Sequence, residues 1–109
     1  MKAYTDLEQS KKLAKILPIE SADNYYSWHD ERYYVVNKDC PYPYSLKEKI
    51  PCWSLAALLS VLQGTNISTP DSLNKIRYSC WNDYDIAYAS NPVDACVEII
   101  VKLKEKDLL

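Results

Sequence analysis

Asn24–Val36 reads NYYSWHDERYYVV and holds four tyrosines, one tryptophan and the chain's single histidine within thirteen residues. Two runs rich in aromatic and β-branched residues, Tyr25–Trp28 and Arg32–Asn37, flank the polar break His29-Asp30-Glu31, a pattern that predicts an antiparallel hairpin. A three-residue turn at that break pairs Trp28 with Arg32 and Tyr26 with Tyr34 on one face, and Tyr25 with Val35 and Ser27 with Tyr33 on the other. Both faces are then apolar. One can pack on helices; the other is an exposed aromatic surface unless the following segment, Cys40–Pro51, covers it.

On the N-terminal side, Thr5 and Glu8 are spaced as a capping box, and Leu7, Leu13, Ala14, Ile16 and Leu17 supply an apolar stripe. A first helix is predicted over 6–17, ended by Pro18. On the C-terminal side, Pro41, Pro43 and Pro51 remove amide donors, so 39–51 is expected to be an extended connector. Ser54 then caps a short apolar helix that runs towards Gly64, the sole glycine. Thr65–Asn74 reads as loop, with room for one helical turn started by Thr69 and Pro70.

A second hairpin follows. A three-residue turn at Asn82-Asp83-Tyr84 sets Cys80 beside Ile86 and Tyr78 beside Tyr88, which makes one face apolar. The last helix starts with Asn91 as cap and Pro92 in the first turn. Val93, Cys96, Val97, Ile100 and Leu103 form its apolar stripe, while Lys102, Lys104, Glu105 and Lys106 are expected to face water. The order helix, hairpin, helix, hairpin, helix predicts an α+β fold: a four-stranded antiparallel sheet with helices packed mainly on one face. At 109 residues, 1–109 fits one globular domain.

Thirteen Lys and Arg against fifteen Asp and Glu give a formal charge of −2, so no broad basic field attracts a phosphate backbone. Asp30, Glu31 and Asp39 around the aromatic stretch further disfavour nucleic acid. The opening residues contain no signal-type apolar run, and no stretch has the length of a membrane span, so a cytoplasmic protein with no membrane partner is expected. Asn66-Ile67-Ser68 fits a glycosylation sequon and carries no weight in that setting. Four cysteines, Cys40, Cys52, Cys80 and Cys96, lie 12, 28 and 16 positions apart, a spacing that suits neither a zinc site nor, in a reducing compartment, disulfides. One glycine cannot build a phosphate loop. No metal and no cofactor are expected.

Ile50–Leu62, IPCWSLAALLSVL, and Ser90–Leu103, SNPVDACVEIIVKL, resemble the recurring core of small uncharacterised proteins encoded by gut Bacteroides and their phages or mobile elements. The resemblance covers about a third of the chain. It implies an intracellular protein tied to a mobile element, and no activity or catalytic residue carries over with it.

Three functional readings compete. Tyrosine offers contact area and a hydroxyl at modest entropic cost, so a protein contact, with another protein or as a homodimer, is expected through Tyr26, Trp28, Arg32 and Tyr34, with Tyr42 and Tyr44 as a rim. The enzymatic rival puts Cys52, a thiol just before a helix N-terminus, with His29 as its base. Against it stands the frequency with which free Cys is core. Single-stranded nucleic acid is the third reading, weakened by the acidic surroundings. The carboxylates Asp30, Glu31, Asp83 and Asp85 sit at hairpin turns, where Asp bonds its own backbone without any catalytic duty.

Overall fold

The computed structural model describes residues 2–29, 31–37, 50–62, 66–68, 78–81 and 86–108. Helix α1 spans Leu7–Leu13, and its cap is Asp6 rather than Thr5: the Asp6 side chain accepts from the Gln9 amide at 2.8 Å while the Gln9 side chain accepts from the Asp6 amide at 3.0 Å. Thr5 is committed elsewhere. Fully buried, it bonds the Ser10 hydroxyl at 2.7 Å, accepts from the Trp53 amide at 3.1 Å, and donates its own amide to the Trp53 carbonyl at 2.9 Å. The α-helix stops four residues short of the predicted end, yet the chain keeps turning. The amides of Ile16 and Leu17 both bond the Leu13 carbonyl, at 2.9 and 2.8 Å, so Leu13 and Leu17 still reach the core.

After Pro18 and a 3-10 turn, Ile19–Ser21, come strands β1 (Asn24–His29), β2 (Arg32–Asn37) and β3 (Ile50–Cys52). They form one antiparallel sheet in the order β2-β1-β3. The end of the expected connector is therefore a strand. Pro51 permits it because it stands opposite Tyr25, while Asn24 faces Cys52 and Tyr26 faces Ile50. With no amide on Pro51, the Tyr25 pair must be the non-hydrogen-bonded one, and its neighbours carry the ladder. The N-terminal segment joins on through an antiparallel bridge between Tyr4 and Ser54.

Helix α2 is Leu55–Val61, capped as expected by Ser54, whose hydroxyl accepts from the Ala57 amide at 3.2 Å. Ser54 is itself held by Asp23, whose carboxylate accepts from both the Ser54 amide, at 2.9 Å, and the Ser54 hydroxyl. Gly64 and the turn expected at Thr69-Pro70 lie outside the described residues.

Strands β4 (Asn66–Ser68), β5 (Tyr78–Trp81) and β6 (Ile86–Ala89) form a second antiparallel sheet in chain order. The fold is α+β with three α-helices among the described residues, but two three-stranded sheets replace the single four-stranded one. Each hairpin completes its sheet with a short strand close by in sequence, β3 or β4, instead of pairing with the other hairpin. The second register also differs from expectation. Cys80 faces Ala87 and Tyr78 faces Ala89, around a four-residue connection, 82–85, outside the described residues. This register places small Ala87 at a fully buried position and leaves Ile86 and Tyr88 exposed.

Helix α3 (Pro92–Glu105) packs on β5, β6 and α2, while α1 packs on β3. The helices are thus shared between two sheets rather than gathered on one face. Asn91 caps α3 by accepting from the Asp94 amide at 2.9 Å. Val93, Cys96, Val97, Ile100 and Leu103 are all buried, and Ala95 and Ile99 widen the stripe. Lys102 turns back to donate to the Ile86 carbonyl at 2.9 Å, whereas Lys104, Glu105 and Lys106 are exposed. Among the described residues, a cluster of buried side chains around Trp53, Leu58, Leu13 and the α3 stripe forms the core. No helix among the described residues is long and apolar enough to cross a membrane.

Candidate functional site

The first hairpin turns in two residues, not three. Observed partners are His29 with Arg32, Trp28 with Tyr33, Ser27 with Tyr34, Tyr26 with Val35, Tyr25 with Val36 and Asn24 with Asn37. Glu31 closes the turn at φ 62°, the left-handed conformation that matches a two-residue connection to the right-handed twist of the strands. Shifting the register by one residue re-sorts one strand against the other. Tyr26, Trp28, Tyr33 and Val35 now share one face, and Arg32 and Tyr34 lie on the opposite one. The expected cluster of Tyr26, Trp28, Arg32 and Tyr34 is therefore split, while Tyr42 and Tyr44 lie outside the described residues.

The Trp28 face is an aromatic ladder. Tyr33 meets Trp28 edge to face with ring centroids 4.8 Å apart, and meets Tyr26 at 6.4 Å and 88°. Such pairs contribute roughly 0.5–1.5 kcal/mol each beyond the area they cover. At its root the ladder is anchored: the Tyr26 phenol donates to the Thr5 carbonyl at 2.7 Å, and burial beside Cys52 pushes its pKa up to about 12. Towards the turn it opens to solvent, with Trp28 43%, Tyr33 37% and Val35 37% exposed. Tyr33 and Val35 are the members that sequence reasoning missed, and only the length of the turn could have revealed them.

On the other face Ser27 is buried, and its hydroxyl has no partner among the described residues, while Tyr34 is exposed. That face is closed at Ser27 and bears one exposed ring; the Trp28 face, with three large apolar side chains exposed together, is the more open one.

No family model, curated protein or solved structure matches the chain.

Cys52 sits in β3 with no exposed surface, its sulfur 3.8 Å from the Thr5 hydroxyl and 3.7 Å from the Thr5 carbonyl. Burial pushes the thiol above its ordinary value, the reverse of what a helix N-terminus does for a nucleophile. His29 is remote from it. Cys52 faces Asn24 at one end of β1 and His29 is the residue at the other end, five positions and about 17 Å of strand away. A base must come within hydrogen-bond reach of the proton it takes, so the structure does not bring this pair together. Asp30, Asp83 and Asp85 lie outside the described residues, among which no group of His, Cys, Asp and Glu is arranged to hold a metal ion.

Beneath α2 lies a groove of about 690 Å³ with an apolar floor including Leu17, Ala22, Ala57 and Val61. Glu20 and Asp23 also line it, and Asp23 is already engaged in holding the Ser54 cap.

Proposed function

We propose that this chain is a small binding protein that contacts another protein through the open face of the first hairpin, with Trp28, Tyr33 and Val35 as the contact and Tyr26 as its anchored root. The single observation that carries this is the exposure of three large apolar side chains, side by side, on a face whose fourth member is hydrogen-bonded into the body of the fold. Aromatic residues held rigid before binding lose little entropy on contact, which is why they dominate interface energetics. The two cysteines whose thiols are described, Cys52 and Cys96, are buried, and the setting we propose for the chain is the cytoplasmic, mobile-element one that the resemblance of Ile50–Leu62 and Ser90–Leu103 implies. A catalytic role for Cys52 with His29 has no geometry behind it.

The test is affinity capture from cells that encode the protein, comparing wild type with Trp28→Ala/Tyr33→Ala and with Arg32→Ala/Tyr34→Ala, which alters the opposite face. Captured partner should fall about tenfold or more for the first variant, the size of one or two lost anchors. Equal loss from the second variant, or none from the first, overturns the proposal.

A further inference from the structure

The proline in β3 fixes which way the backbone of β2 points. Tyr25 cannot hydrogen-bond Pro51, so Tyr25 and Ser27 direct their amides and carbonyls at β2, and Tyr34 and Val36 return those bonds. Alternation then turns the amide and carbonyl groups of Tyr33 and Val35 outward, away from β1. β2 is the edge of its sheet, and no strand pairs with that edge among the described residues.

Edges of this kind are normally blunted by lysine, proline, a bulge or a very short strand. β2 has none of these. It is six residues long, RYYVVN, and five of the six are exposed.

We propose that two copies of the chain pair through this edge, β2 against β2 in antiparallel orientation about a twofold axis at Tyr34, so that two three-stranded sheets become one of six strands. This rests on the reading of the first hairpin as a protein contact, and places a second copy of the chain at its edge, beside the aromatic face. A twofold axis normal to the sheet brings like faces together, so only registers in which facing residue numbers differ by an even number are allowed. Centring on Tyr34 sets Tyr33 opposite the partner's Val35 and Val35 opposite the partner's Tyr33, using both outward-facing backbone positions on each side. Both are aromatic–β-branched pairs, which favour a ladder. The rows Trp28–Tyr33 and Val35–Tyr26 then run on across the axis as one aromatic face.

Charge fits the same register. Arg32 is the only charged residue of β2. The two copies of it lie four positions apart along the joint ladder, about 14 Å. That separation exceeds the screening length of roughly 8 Å at physiological salt, so their repulsion is slight. Each Arg32 falls diagonal to the partner's Tyr34, within reach of its ring. Centring on Val35 instead would set Tyr33 opposite the partner's Asn37 and lose both aromatic pairs.

Five residues a side is far below a standard interface, so the dimer is expected to be weak, forming at roughly 10–100 µM. Sedimentation equilibrium from about 1 to 500 µM should show the mass of the wild-type chain doubling across that range. Val35→Pro removes an outward amide that β1 does not use, and should weaken association at least tenfold while the far-ultraviolet spectrum is unchanged. A wild-type chain that stays monomeric throughout overturns the proposal, as does a folded Val35→Pro that dimerises as tightly as wild type.

A second readout does not depend on how that variant folds. Tyr34 faces its own copy across the axis in a non-hydrogen-bonded pair, Cα atoms about 4.5 Å apart, inside the span of a disulfide. Mild oxidation of Tyr34→Cys should yield covalent dimer well above the wild-type chain treated in parallel, and Val36→Cys should not. Equal crosslinking of the two variants overturns the register and the proposal with it. A monomeric wild type that still loses a captured protein on Trp28→Ala overturns self-pairing and leaves the contact face standing.

Discussion

The phenol of Tyr26 donates to the backbone carbonyl of Thr5 at 2.7 Å, and this bond ties the aromatic hairpin to the segment that leads into α1. Tyr26→Phe removes the donor and keeps the ring. The expected cost is about 1 kcal/mol, or roughly 4 °C in melting temperature for a chain of this size. The same group sets an alkaline limit. Its folded pKa, raised to about 12, lies above the ordinary 10.0, so the folded state favours the neutral phenol. Its stabilisation is complete below pH 10 and lost as pH rises towards 12. Thermal melts between pH 9 and 12 should show a shallower decline for Tyr26→Phe than for wild type.

Asp23 and Ser54 act as a relay to the start of α2. Burial alone would raise the Asp23 carboxyl, but the hydrogen bonds from the Ser54 hydroxyl and amide outweigh it and hold the group below its usual value. Ser54→Ala should cost about 1 kcal/mol as a lost cap. Asp23→Ala should cost a similar amount, and the double variant clearly less than the sum, because one chain of bonds is being cut twice. Additive costs in a denaturant-melt cycle would dissolve the relay. With a depressed folded pKa, Asp23 adds stability above its unfolded pKa of about 4 and loses it as pH falls below.

Asp94 gathers three partners: Lys2 at 2.7 Å, the Gln9 side-chain amide at 2.8 Å and the Asn91 side-chain amide at 2.8 Å. Lys2 also reaches Asp6 at 3.0 Å. The ion pairs are partly solvated and individually weak, on the order of 0–1 kcal/mol. Asp94→Ala should therefore destabilise more than Lys2→Ala, since it also strips two hydrogen bonds from side-chain amides to the carboxylate and the acidic group of the first turn of α3. The Lys2 and helix-terminus portions should fade when melts are repeated at high salt, while the portion from the two side-chain amides persists.

Ser27 buries a hydroxyl without a partner among the described residues. Ser27→Ala removes that unmet group at little cost in volume, and the melting temperature should hold or rise, by up to about 1 kcal/mol in stability. A clear loss would show that the hydroxyl is bonded after all.

Cys52 and Cys96 are both fully buried. Iodoacetamide at neutral pH should label both slowly in the native protein and promptly in denaturant, with Cys52 no faster than Cys96. Rapid native labelling of Cys52 would restore it as a reactive thiol.

What the sequence made legible was decided by how local each signal is. α3 could be read almost whole, because Asn91, Pro92, Asp94 and the apolar spacing all act within one helix. The α1 cap could not. Thr5 with Glu8 and Asp6 with Gln9 both satisfy the capping pattern, and the choice fell to Trp53, whose amide claims the Thr5 hydroxyl from 48 positions away. β3 was hidden by Pro51, since a proline reads against a strand until the parity of its partner is known. The contact face failed for the same reason: every aromatic residue in Asn24–Val36 was visible, yet their distribution over two faces depends on a turn whose length nothing in their own identities records.

Glu31, at φ 62°, is the residue on which that distribution turns. Glycine there would relieve the left-handed backbone without moving a ring. One extra residue beside it, taken up by β2 with the turn kept at two residues, would do the opposite. Tyr34 and Arg32 would rotate to join Trp28 and Tyr26, while Tyr33 and Val35 withdrew to the far side. Descendants of this chain could thus acquire a new recognition surface by a single codon inserted at the turn, with every aromatic residue conserved, and comparison of their side chains alone would miss the change.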